Sequence, residues 1–174
     1  MKKLFYWLLL VFLSVVISST IFETKQIASH NYYPHPKIDI KELKCLADNI
    51  YHEARGENKE GWIAVAHVTI NRTKSKQWSR SICGVVYEGS NKKTGCQFSW
   101  TCDKRISKKI KEQKVYAEIY LIAYEVMIGL HPDSTANSKF YHTVSIRPYW
   151  SKSKEIFSEV IIGQHKFYSF KTED

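Results

Sequence analysis

Lys2 and Lys3 are followed by 19 residues, Leu4 to Phe22, that carry no charge. As a helix rising about 1.5 Å per residue, that run would cover roughly 28 Å, close to the thickness of a bilayer core. A short basic region ahead of an apolar stretch is the layout of an export signal or an uncleaved signal anchor. Ser18, Ser19 and Thr20 offer a poor version of the small-residue pattern that a signal peptidase needs. An anchor is therefore the favoured reading, and a cleaved signal the second. A buried core helix is set aside, because the segment has no polar face to turn toward water. Either way, residues 1–22 form one unit and the rest of the chain is exported.

Export changes how the remainder is read. The whole chain has 26 Lys+Arg against 17 Asp+Glu, and setting aside Lys2 and Lys3 takes the formal charge from +9 to +7. A basic exported domain suits an anionic polymer or a membrane surface. Nucleic acid is not expected as a partner, since no face interleaves Lys or Arg with aromatic residues. Cys45, Cys83, Cys96 and Cys102 would be oxidised in such a compartment, and four cysteines allow three pairings. The favoured arrangement ties Cys96 and Cys102 into two bridges with Cys45 and Cys83, fixing the loop they bracket. Zinc is the competing use, but there is no Cys-x-x-Cys or His-x-x-x-His pair, and no metal or other cofactor is expected.

Residues 23–38 are polar, include Pro34 and Pro36, and form an expected tether. Residues 39–174 make one domain. Asp39 with Glu42 predicts a capping box, and Leu43, Leu46, Ala47, Ile50 and Ala54 recur at helical spacing up to a stop at Gly56. A second helix is expected from Lys59 to Arg72, with Trp62, Val65, Ala66 and Thr69 on one face. Thr73 to Lys104 reads as a loop with one short element near Ile82 to Tyr87. The longest helix is expected between Ser107 and Ile128, ending at Gly129. Phe140 to Val144 suggests a strand, and Phe157–Ile162 with His165–Phe170 a hairpin turned by Gly163-Gln164. With helices first and strands last, the class is α+β.

Glu53 lies about 80° from the centre of the apolar stripe of the first helix, on the rim of the buried face. It also falls in the last turn, where the helix dipole disfavours negative charge. Both effects raise a carboxyl pKa and favour the protonated acid that protonation of a glycosidic oxygen requires. Many rim glutamates do no more than pair with a base, so position alone does not assign the role. His52-Glu53 opens like the metallopeptidase motif His-Glu-x-x-His, but Gly56 occupies the second histidine position and removes the two-point ligand. Neither a Gly-x-Ser-x-Gly elbow nor a phosphate-cradling loop occurs.

Taken together, several segments resemble the spore cortex-lytic type of cell wall hydrolase. They are Cys45-Leu-Ala-Asp-Asn-Ile-Tyr-His-Glu-Ala-Arg-Gly-Glu57, Gly61-Trp-Ile-Ala-Val-Ala-His-Val-Thr-Ile-Asn-Arg72, Cys83-Gly-Val-Val-Tyr87, Cys96-Gln-Phe-Ser-Trp-Thr-Cys-Asp103 and Ile162-Gly-Gln-His-Lys-Phe-Tyr168. Asp133 to Trp150, with Phe140-Tyr-His142 and Pro148-Tyr-Trp150, matches as well. The resemblance runs in order from Cys45 to Tyr168. It implies a lysozyme-like or lytic-transglycosylase-like α+β fold acting on peptidoglycan in the bacterial cell envelope. The protein would be held to the inner membrane by its amino terminus or secreted to the periplasm. The implied reaction cuts the β-1,4 bond between N-acetylmuramic acid and N-acetylglucosamine, with Glu53 as the general acid.

A transglycosylase needs that one acid, because the muramyl 6-hydroxyl attacks C1 and leaves a 1,6-anhydro end. A hydrolytic muramidase would need a second carboxylate across the groove. Glu57 is too near Glu53 in the chain to serve, which leaves Asp103 and Asp133. A wall-binding module that has lost catalysis is the remaining alternative. Gln97, Ser99 and Tyr141 are the expected substrate-binding residues: the first two as alternating positions of an extended stretch, the third as the groove-facing neighbour of His142. Arg55 and Glu57 are expected to pin the Gly56 turn, and Asn71 to cap a helix end.

Overall fold

The computed structural model describes residues 6–7, 10–17, 37–92 and 95–171. The chain divides into two units, residues 1–36 and 37–174. In the first, residues 10–17 are helical. The expected anchor and tether lie largely outside the described residues, and among those described no helix is long and apolar enough to cross a membrane.

The second unit runs α1 (Ile40–Ala54), α2 (Lys59–Lys74), α3 (Ile82–Val86), α4 (Ser99–Cys102), α5 (Gln113–Met127), β1 (Phe140–Thr143), a 3-10 turn (Tyr149–Lys152), β2 (Ile156–Ile162) and β3 (His165–Phe170). The strands form one antiparallel sheet in the order β1-β3-β2. The architecture is α+β, with the helices first and the small sheet at the end.

Helix α2 holds the two halves together because it is buried on both sides. Its Trp62, Val65 and Ala66 pack with the apolar stripe of α1 and with Ile119, Ile122, Ala123 and Val126 of α5. Its Ala64 and Val68 pack instead on Phe167 of the sheet. Small residues on this helix let the sheet approach closely. Buried Asn49 of α1 joins three elements: its amide donates to Thr69 Oγ1 on α2 at 3.1 Å, and its carbonyl accepts from Trp100 Nε1 on α4 at 3.1 Å. A buried amide is tolerable because both ends are satisfied.

The helix ends depart from expectation in instructive ways. Asp39 caps α1 by accepting from Lys41 N at 2.7 Å, but Glu42 does not reach back to complete a capping box. Its carboxylate crosses to α3 and accepts from the Ile82 and Cys83 amides, the latter at 3.2 Å. Helix α1 ends at Ala54, and Gly56 is not in the left-handed region that would make it a glycine stop. The end is set by Asn58, which caps α2 by accepting from Gly61 N at 3.0 Å, and by Trp62, whose indole donates to Ala54 O at 2.8 Å. Helix α5 starts at Gln113 rather than Ser107, because the Tyr51 hydroxyl accepts from the Lys111 and Glu112 amides at 3.0 and 3.2 Å. It closes as expected at Gly129, with φ 80° and Leu130 N bonded to Glu125 O at 2.9 Å.

The cysteines pair as Cys45–Cys83 and Cys96–Cys102. The second bridge closes the 96–102 loop on itself instead of tying it to Cys45 or Cys83. The first fastens α1 to α3 beside the Glu42 contacts.

Candidate active site

Glu53 is part-buried in the last turn of α1, where the Trp62 indole holds the adjoining Ala54 carbonyl. Across from it, the register Tyr141↔Phe167 turns Tyr141 to the α2 side of the sheet. The Tyr141 hydroxyl donates to Glu53 Oε2 at 3.1 Å. Its ring packs on Phe167 and meets His165 edge-on, with centroids 5.7 and 5.2 Å away. His142 points to the opposite face, as strand alternation requires. There it bonds the Tyr168 hydroxyl at 2.8 Å.

Burial raises the Glu53 pKa above the ordinary carboxyl range, while the Tyr141 hydrogen bond and the charge of Arg72 partly offset it. Burial and the neighbouring Glu53 charge raise Tyr141 well above its ordinary value, so its hydroxyl stays a donor. The outcome is an acid that keeps its proton at higher pH than a surface glutamate, next to a donor and a cation that can receive the carboxylate once the proton has gone.

Arg72 is the residue that sequence reasoning missed. It is 4% exposed, donates from Nε to Lys139 O at 2.8 Å, and lies over the rings of Phe98 and Trp78 at 5.1 and 5.8 Å. One signal was available: Arg72 continues the Trp62, Val65, Thr69 face of α2, and an arginine on an apolar stripe is seldom placed there by solvation.

The other expected residues are placed as follows. Gln97 Oε1 accepts from Trp78 Nε1 at 3.3 Å, so its amide touches the aromatic group around Arg72. Ser99 is exposed and opens α4, so the alternation expected of Gln97 and Ser99 stops at Phe98. Arg55 and Glu57 flank the Gly56 turn and tie its two sides to other elements. Arg55 pairs with Glu112 at 3.4 Å, at the start of α5. Glu57 accepts from Gln164 N at 3.0 Å, at the β2–β3 turn. Gly163 in that turn has φ 57°, and a Cβ there would come within 2.1 Å of the Glu57 carboxylate.

Both candidate second carboxylates are engaged elsewhere. Asp103 is gripped by Arg105, with Nη2 to Oδ2 at 2.7 Å, and its pKa is drawn down to about 2. Asp133 accepts from Asn71, Thr135 and Asn137. Asn71 is thus a buried strut and not a helix cap. Among the described residues, no group of three His, Cys, Asp or Glu is arranged to hold a metal ion.

The sequence profile of the cell wall hydrolases matches residues 56–168. The chain belongs to the cell wall hydrolase family. The matched segment opens three residues after Glu53 and takes in Arg72, Gln97 and Tyr141. The spore cortex-lytic enzyme of Bacillus subtilis is 43% identical over 47 residues, 27% of this chain and 15% of that protein. The enzyme of the same name from Oceanobacillus iheyensis is 40% identical over 47 residues, and the chain covers 17% of its length. Among solved structures, the catalytic domain of the germination-specific lytic transglycosylase SleB from Bacillus anthracis aligns with TM-score 0.56 and 25% identity, covering 76% of this chain and 98% of that one. The catalytic domain of the Bacillus cereus SleB protein shares the fold at TM-score 0.56 and 23% identity, over 81% of this chain and all of that domain. Residues of this cell wall hydrolase therefore span a catalytic-domain fold but a small fraction of the full-length curated relatives.

Proposed function

We propose that this chain degrades peptidoglycan by cleaving the β-1,4 bond between N-acetylmuramic acid and N-acetylglucosamine, as a lytic transglycosylase with Glu53 as its single acid. The observation that carries this reading is the Glu53–Tyr141 pair, a carboxyl raised by burial and held at 3.1 Å by a tyrosine hydroxyl. In the mechanism, protonated Glu53 gives its proton to the glycosidic oxygen as the C1–O bond breaks. The resulting carboxylate is stabilised by Tyr141 O–H and by Arg72. It then takes the proton of the muramyl 6-hydroxyl as that oxygen bonds to C1, which restores the acid and closes the 1,6-anhydro ring.

Transglycosylation is favoured over hydrolysis because a water-activating base is missing from the carboxylates considered. Glu57 holds a turn, Asp103 is bound by Arg105, and Asp133 is filled by four donors from Asn71, Thr135 and Asn137. Gln97 and Tyr141 are the substrate contacts proposed nearest Arg72 and Glu53, with Ser99 an exposed outer contact. The cationic exported domain would be held to the wall face of the inner membrane by residues 1–22, through the tether 23–38. Glu53→Gln keeps the shape and loses the proton, so digestion of purified sacculi by the full chain should fall about 100-fold or more. Digestion at the unmodified rate would overturn the assignment.

A further inference from the structure

A pocket of about 350 Å³ opens on the sheet face that does not meet α2. That volume is at the lower end of those that hold small ligands. Its floor is His142 and Tyr168, and Ser151, Ile156, Arg147 and Lys166 are among its walls. Among the described residues, no aspartate or glutamate lines it. Arg147 is exposed, and Lys166 has its ammonium 5.6 Å over the Tyr168 ring. The rim is thus cationic.

The floor has the opposite character, which follows from its hydrogen bonds. His142 Nδ1 lies 2.8 Å from Thr143 O, and a carbonyl can only accept, so the proton of the neutral ring sits on Nδ1. Nε2 is then an acceptor, and the Tyr168 hydroxyl 2.8 Å away must donate to it. Ser151 likewise spends its proton on Pro148 O at 2.7 Å. Both hydroxyls therefore offer the pocket oxygen lone pairs and no hydrogen. A ligand that satisfies this site carries an anion for Arg147 and Lys166 together with N–H or O–H donors for Tyr168 and Ser151. An amide chain ending in, or bearing, a carboxylate has both. The inorganic phosphate dianion has a single O–H and cannot serve both hydroxyl oxygens.

The location matches such a ligand. β1 is an edge strand of the sheet, and its neighbouring residues Tyr141 and His142 face the Glu53 site and this pocket respectively. A few extended residues at roughly 3.5 Å each are long enough to pass from one face of an edge strand to the other. We propose that the pocket binds the peptide stem of peptidoglycan, with a stem carboxylate between Arg147 and Lys166 and stem N–H groups on the Tyr168 and Ser151 oxygens. This rests on the function proposed above and adds a peptide-reading site to it.

The test is calorimetric titration of the full chain with a free stem tetrapeptide, its carboxylate-amidated form, and inorganic phosphate. The tetrapeptide should bind, and amidation should weaken binding at least 10-fold. Arg147→Glu, at an exposed position, and separately Lys166→Gln, should each do the same, with unfolding curves confirming that the variants are folded. Absence of tetrapeptide binding, equal binding by the amidated form or by the folded variants, or phosphate binding as tightly as peptide would each overturn the proposal. Sacculus digestion by the unmodified chain is measured alongside. Digestion without peptide binding removes the pocket assignment alone, whereas loss of digestion removes the reading it rests on.

Discussion

Tyr141→Phe removes one hydroxyl and keeps the ring that packs on Phe167 and His165. The lost bond, 3.1 Å to Glu53 Oε2, is at the long end for an O–H donor. Hydrogen bonds to charged groups contribute about 1.5–3 kcal/mol, and this length points to the lower end, about 1.5 kcal/mol. That corresponds to about one pH unit. The sign is fixed by which form the bond favours: a donor stabilises the carboxylate and holds the Glu53 pKa down, so its removal lets burial raise the pKa further. Since the general acid must be protonated, the alkaline limb of activity should move up by about one unit in Tyr141→Phe. The rate at the acid plateau should fall, because the carboxylate left after proton transfer has lost a donor. Ionisation of Tyr141 cannot mimic the limb, because its own pKa lies well above the ordinary value. The assay is clearance of a sacculus suspension from pH 5 to pH 9 by the two proteins. A limb that stays put or moves down would refute the coupling between Tyr141 and Glu53.

Two further outcomes concern stability. The folded Glu53 pKa is raised, so its contribution is fully present below the unfolded pKa of about 4.3 and is lost as pH rises through the folded value. Glu53→Gln should therefore match the unmodified chain in acid and unfold at a higher temperature near neutral pH; thermal unfolding at pH 4 and pH 8 checks the crossover. Peptide mapping without reduction should find Cys45–Cys83 and Cys96–Cys102 and no free thiol in the purified protein. Removing the first bridge, with a separation of 38 residues, should cost about 4 kcal/mol, and removing the second, with a separation of 6, about 2 kcal/mol. Denaturant unfolding of the paired Cys→Ala variants would contradict this if the order were reversed.

Periodicity was enough to find α1, α5 and the hairpin, since each buries one regular stripe against a neighbour, and α2 was found from one of its two buried faces. Glu53 was legible for the same reason: its angle from the stripe is a property of the helix alone. What the sequence concealed depends on contacts between distant segments. Glu42 has the spacing of a capping box, yet its carboxylate caps α3 across the fold, where two amide donors await it. The start of α5 waits on Tyr51, 60 residues earlier, as the acceptor for Lys111 N. Ser99 and Gln97 were paired by strand alternation, which a four-residue helix interrupts. The cysteine pairing was open for the same reason, because which sulfurs meet is decided by the packing of α1 on α3. Arg72 was hidden by its type, since an arginine is ordinarily placed at the surface, and only the packed structure shows it sealed between Phe98 and Trp78.

In the proposed reaction one acid, Glu53, cuts the glycan and leaves the muramyl 6-hydroxyl as the internal nucleophile. Mass analysis of the soluble products from sacculi incubated with the full chain tests it most directly. The expected products are muropeptides ending in 1,6-anhydro-N-acetylmuramic acid, lighter by one water than the reducing form, and none of them with Glu53→Gln. Reducing muramic acid ends, or anhydro ends that persist when Glu53 is replaced, would contradict it.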